Sequence, residues 1–192
     1  MLYISVVDEI KSLETMPVLK TVYYPWTDDS YRPFMWCRCA SVLGRGMMFD
    51  LTSFERDPAF GAESILDDSC VGLTFDFSRE TCREALTVVF NSRGRCGIYV
   101  GGRVIDDLEI VPECYAGEDE RGWYWGVRFF ITNELLLRFF GVFDVESGCI
   151  LRGNIYKFKR FGEDAHIGSV APMKSNFIFD RDNLAQFSAV AY

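Results

Sequence analysis

The sequence predicts an all-β chain, an antiparallel β-sandwich with one short helix. Three observations lead there. About ten short apolar runs recur along the 192 residues, each bounded by turn formers. Aromatic residues reach 16%, with 17 Phe, which suits a core of large flat side chains between sheets. The regular alternation of helix and strand that a doubly wound fold needs is missing.

The clearest run is Cys70 to Phe77. Val71, Leu73, Phe75 and Phe77 fall on one face, and Cys70, Gly72, Thr74 and Asp76 on the other. Period two predicts a strand half buried against the core. Asp67 and Asp68 stand directly before it, at the strand mouth.

In chain order, Leu2 to Val7 and Val18 to Tyr24 read as strands, the second stopped by Pro25. Trp26 to Pro33 is loop chemistry. Phe34 to Val42 and Gly46 to Glu55 form a hairpin turned by Gly44-Arg45-Gly46. A polar connection leads to the 70–77 strand. Ser78 to Glu84 is a polar break with Ser78 as a helix-capping residue. Ala85 to Asn91 is a strand. Cys96 to Ile105 is another, bent or bulged at Gly101-Gly102. Pro112 to Gly122 reads as an acidic loop. Trp123 to Ile131 is a strong strand with Trp123, Trp125, Val127, Phe129 and Ile131 on its core face. Thr132 to Phe140 is the helix, capped by Thr132 and closed by Gly141. Cys149 to Phe158, Ile167 to Ala171 and Gln186 to Tyr192 complete the strands. The length suits one domain, residues 1–192.

Composition removes several function classes. A net charge of −8 lacks the basic footprint of a nucleic-acid binder and opposes an anionic membrane surface. No apolar run approaches the ~18 residues of a spanning helix. No basic-then-apolar leader opens the chain. Seven Cys form no disulfide framework, which with the missing leader favours the cytoplasm. His166 is the only histidine, and no nucleophile motif accompanies it, so a structural role is expected. Cys37-x-Cys39 lacks the second pair of a zinc site.

An ordered set of short strings carries a resemblance. They are Phe54-Glu55-Arg56-Asp57-Pro58, Asp68-Ser69-Cys70-Val71, Phe90-Asn91 with Gly94, and Trp123-Tyr124-Trp125. Then come Leu151-Arg152-Gly153-Asn154-Ile155-Tyr156-Lys157 and His166-Ile167-Gly168-Ser169-Val170-Ala171-Pro172. In this order, from about Trp26 to Tyr192, the chain resembles the family 9-like carbohydrate-binding domains. The resemblance implies an immunoglobulin-like sandwich, a carbohydrate ligand and no catalysis. It also implies aromatic rings that clamp a terminal sugar. The physics fits a sugar, whose C–H face stacks on aromatic planes while its hydroxyls need paired donors and acceptors. No cofactor is expected; calcium is the one the resemblance brings into view, through Asp67 and Asp68 as hard oxygen ligands.

The chain departs from the family pattern at three points. Gly72 stands where the family has Glu, Ile65-Leu66 where it often has Trp, and Val170-Ala171 where it has Trp followed by Ser or Asn. The expected ligand-binding residues are therefore Asp67, Asp68, Phe177, Phe179, Asp180 and Arg181, with Trp26 as a ring in a polar loop. Asn154 is expected to satisfy a loop backbone and Tyr156 to fill core. Two functions stand open: a non-catalytic sugar binder, or a sandwich scaffold that has lost the clamp and meets a protein partner or its own copy in a homodimer.

Overall fold

The computed structural model describes residues 2–10, 14–27, 31–78 and 84–191. The strands are β1 (Leu2–Val7), β2 (Leu19–Lys20), β3 (Phe34–Val42), β4 (Gly46–Phe54) and β5 (Cys70–Asp76). They continue with β6 (Leu86–Asn91), β7 (Cys96–Val100), β8 (Arg103–Val104), β9 (Glu113–Asp119) and β10 (Gly122–Thr132). Helix α1 (Asn133–Phe140) precedes β11 (Ile150–Lys159), β12 (His166–Ser169) and β13 (Ala185–Ala191).

Hydrogen bonding runs without a break in the order β8-β7-β6-β5-β11-β13-β1-β3-β4-β10-β9, with β12 on β11 and β2 on β3. This single sheet folds over on itself into two layers. Phe49 of β4 meets Phe75 of β5 at 5.6 Å between ring centroids, and Phe90 of β6 meets Phe129 of β10 at 4.6 Å. The layers join where β1 lies between β13 and β3, and it pairs with both in parallel. All the other strand pairs among the described residues are antiparallel. The expected antiparallel sandwich stands, with a parallel seam that period-two patterning cannot reveal.

Helix α1 forms as its ends dictate. The Thr132 hydroxyl accepts from the Leu135 N–H at 3.3 Å, and Gly141 takes the left-handed conformation at φ 66°. Thr132→Ala is expected to lose about 1 kcal/mol in urea denaturation, and Thr132→Ser to retain it.

Several local expectations change. Strand β5 is buried on both faces, because the 173–184 segment folds over its second face and the Thr74 hydroxyl donates to the Ile178 carbonyl at 2.9 Å. The expected acidic loop at 112–122 contains β9, an edge strand whose polar side chains disguise it. The Gly101-Gly102 pair turns β7 into β8 rather than bending one strand, with φ of 59° and 79°. Only Leu19–Lys20 of the 18–24 run pairs as a strand, with an isolated bridge from Tyr23 to Ser169. Trp125 is buried, but Trp123 reaches past the core into solvent. Residues 79–83 of the expected polar break lie outside the described residues. Ser78 caps no described helix; its hydroxyl and N–H both bond the Asp76 carboxylate.

Candidate functional site

Three segments distant in sequence meet at one cleft of about 280 Å³. The β11–β12 turn supplies Arg160 and Phe161, and the first residue of β12 supplies His166. The 173–184 segment supplies Phe177 and Phe179, and the loop after β2 supplies Trp26. Leu66 adds an apolar wall before β5. Such a volume sits at the small end for ligand pockets.

Each ring has a reason to be there. Thr27 is pinned to β12, donating its hydroxyl to the Ile167 carbonyl at 3.0 Å and accepting the Ile167 N–H at 2.8 Å, which sets Trp26 beside the cleft. Asn183 holds the loop that carries Phe177: its Oδ1 accepts from the Lys174 and Ser175 N–H groups, and its Nδ2 donates to the Phe177 carbonyl at 3.0 Å. Asn154 anchors that loop to the sheet, donating to the Asn183 carbonyl at 2.8 Å and the Ala171 carbonyl at 3.2 Å. Its role is the structural one expected, and Tyr156 is fully buried beside it.

Trp26 is 46% exposed and Phe177 58% exposed, so both present open ring surface. Phe177 meets Phe179 edge-on at 5.1 Å, and Phe179 meets Tyr99 edge-on at 5.0 Å, which ties the exposed ring through the half-buried Phe179 to the buried Tyr99. Arg160 stacks on Phe161 at 5.0 Å and faces Asp67, with Nη1 3.5 Å from Oδ1. A guanidinium beside a carboxylate offers donors and acceptors to neighbouring hydroxyls.

The remaining expected residues sit elsewhere. Asp68 is buried, and both its oxygens are taken by the Ala62 N–H and the Asn91 side-chain amide, each at 2.8 Å. Asp67 turns toward Arg160, so the adjacent carboxylates do not converge as a calcium site would need. Among the described residues no three His, Cys, Asp or Glu side chains gather to hold a metal. Asp180 caps a short 3₁₀ turn at Arg181–Asn183 and accepts from the Ser175 hydroxyl at 2.5 Å, a bond that holds its carboxyl below the usual range. Arg181 lies in that turn and does not line the cleft. Gly72, where the family has Glu, has no room for a side chain: a Cβ there would stand 2.8 Å from the Val88 carbonyl oxygen and from Val89 Cγ1.

Next to His166 lies a buried ionic cluster. Lys157 Nζ is 3.0 Å from Glu55 Oε2 and donates to the Ser69 hydroxyl at 2.6 Å, and both charged side chains are 0% exposed. The Ser69 hydroxyl faces both Glu55 oxygens at 2.8 and 2.7 Å. Burial pushes the Glu55 carboxyl up, but the Lys157 ammonium and the bonds from Ser69 and Lys157 outweigh it and hold it below its ordinary value. Burial lowers Lys157 in turn, partly offset by Glu55. His166 Nδ1–H donates to the Asp164 carbonyl at 2.7 Å, which places the lone pair on Nε2, a buried atom without a partner. Burial first, then the Lys157 charge, lower its pKa to about 4, so it is neutral at pH 7.

Sequence reasoning missed Arg160, Phe161 and the Glu55–Ser69–Lys157 cluster. The signals were present. Phe161 is an aromatic ring in a polar turn, as Trp26 is. Glu55, Ser69 and Lys157 each lie in one of the strings that carried the resemblance.

No protein-family model matches the chain, and no curated protein matches it in sequence. Solved structures do match. One is a protein from Bacteroides uniformis ATCC 8492 assigned as carbohydrate-binding, at 18% identity and TM-score 0.71, covering 98% of each chain. Another is a family 9 carbohydrate-binding module from Caldicellulosiruptor kristjanssonii in complex with glucose, at 8% identity and TM-score 0.70, covering 100% of this chain and 96% of that one. The same source's module in complex with cellotriose matches at 8% identity and TM-score 0.69, over 100% and 94% of the two chains. These likenesses span the whole sheet order described above, and the chain has the β-sandwich fold of the family 9 carbohydrate-binding modules.

Proposed function

We propose that this chain binds carbohydrate without catalysis, at the cleft of Trp26, Arg160, Phe161 and Phe177. The observation that carries the reading is the meeting of two open aromatic rings, Trp26 and Phe177, with Arg160 at one small cleft, the Arg160 guanidinium being backed by Asp67 at 3.5 Å. Stacking accounts for the apolar face of a sugar, and the charged pair for its hydroxyls. The solved neighbours, two of them with glucose or cellotriose bound, support a carbohydrate ligand of the same general kind. A binding role also accords with the chemistry of the cleft. Its one imidazole is buried and neutral, and among the described residues no hydrogen-bond partner reaches Nε2.

Calorimetric titration with glucose and cellotriose tests this. The expected affinity is weak, with Kd on the order of millimolar, and Trp26→Ala and Phe177→Ala each weaken it about tenfold. Equal binding by wild type and both variants would remove the cleft from the function, and hydrolysis of chromogenic glycosides would remove the non-catalytic reading.

A further inference from the structure

The outer face of the β3-β4-β10-β9 layer carries a second cleft of about 540 Å³, remote in residue content from the first. Period two builds it. Cys37, Leu51, Val127 and Phe129 point into the core, so their neighbours Trp36, Arg38, Asp50, Thr52 and Arg128 point out. Register sorts them into rows. Phe34 pairs with Phe54, whose ring meets Tyr124 at 5.9 Å, and Trp36 stands edge-on to Phe54 at 5.1 Å. The next charged row pairs Arg38 with Asp50, Asp50 with Arg128, and Arg128 with Glu113.

Two glycines let aromatic rings settle on this face. A Cβ at Gly126 would meet the Tyr115 ring at 2.3 Å, and one at Gly117 would meet the Tyr124 hydroxyl oxygen at 2.6 Å. The Tyr115 hydroxyl is fixed by Asp50 at 2.6 Å and Thr52 at 2.8 Å.

Among the described residues, two donors at this face, Trp36 Nε1 and Arg38 Nε, are buried without a hydrogen-bond partner. Arg128 is paired with Asp50 and Glu113, and Arg121 with Asp119. Among the described residues, Arg38 and Glu14 line the cleft with no ion pair of their own, one donor group and one acceptor group of opposite charge, and the Arg38 guanidinium lies at 5.5 Å over the Trp36 ring. Arg121 lies over the Trp36 ring at 4.3 Å, and its ion pair reaches only two residues along the chain, so a stacking ligand displaces it without disturbing the sheet.

We infer that this face is a second binding site, for a neutral oligosaccharide chain laid across the sheet. Rings of the sugar stack on Trp36 and Tyr124, and Arg38 and Glu14 read hydroxyls. With one unpaired charge of each sign, the site has no excess that would select an anionic ligand. The inference stands on these residues and not on the first cleft.

The four tryptophans make the test direct. In ¹⁵N-indole NMR of the full chain titrated with cellopentaose, Trp36 reports this face and Trp26 the first cleft. The Trp36 signal is expected to shift and saturate with Kd on the order of millimolar. Arg38→Ala weakens that response about tenfold, and Arg121→Ala, which uncovers the ring, strengthens it. A Trp36 signal unmoved at about 20 mM cellopentaose overturns the inference. Movement of Trp26 alone does the same while leaving the proposed function standing. A response confined to pentagalacturonate overturns the neutral-ligand assignment.

Discussion

Replacing Lys157 with Met is expected to cost about 3–5 kcal/mol of folding stability, read from urea denaturation at pH 7. The cause is what the substitution leaves behind. Among the described residues, Glu55 remains fully buried with the Ser69 hydroxyl and the Tyr31 hydroxyl, the latter at 3.3 Å, to support its charge. The position of the cluster raises the cost. Glu55 directly follows β4 in one layer, Ser69 precedes β5 in the other, and Lys157 reaches from β11 toward Trp125 of β10, at 5.8 Å from its ring. The pair thus ties the two layers across the core. Removing both charges in Glu55→Leu/Lys157→Met is expected to recover much of the loss, because paired ions and apolar side chains of like volume are often near equal in a core. A loss below about 1 kcal/mol in the single variant would show that the buried pair contributes little. Because the Glu55 carboxyl is held below its ordinary value, its contribution is present above about pH 4.5 and is lost as pH falls through the folded value.

His166 sets the second large effect. Its pKa falls from 6.5 in the open chain to about 4 in the fold. Between those values the unfolded chain holds a proton that the native protein refuses, so stability falls as pH drops through this window and is complete above 6.5. The whole window is worth about 3 kcal/mol, and the part between pH 6.5 and about 5, where carboxylates change little, about 2 kcal/mol. Urea denaturation at several pH values is expected to show this slope in wild type and a flat line in His166→Gln. With one histidine in the chain, imidazole NMR gives a second readout: a resonance that titrates near pH 6.5 in the native protein would contradict the buried, neutral ring.

Much of the fold was legible because strands announce themselves locally. Phe34 to Val42, the Gly44–Gly46 turn and the Trp123 to Ile131 run were readable from alternation and turn residues alone. The cap residues of α1 were equally plain. Edge strands are harder. The β9 residues Glu113 to Asp119 face solvent on alternate sides, so no apolar face marks them. The parallel seam at β1 was hidden for another reason, since strand direction depends on the partner and not on the strand's own pattern.

By itself, the sequence determined the all-β class, most strand positions and the helix with its caps, because these follow from interactions within a few residues. It also held the strings that carry the resemblance. Only the tertiary structure decided what those residues do. It drew Trp26, Arg160 and Phe177 to one cleft, and it withdrew Asp68 and Asp180 into backbone support. It brought Glu55, Ser69 and Lys157 together in the core. The physical reason is range. Periodicity reports which way a side chain points from its own strand, whereas a site is made where loops far apart in the chain are pinned to each other, here by Thr27, Asn154 and Asn183.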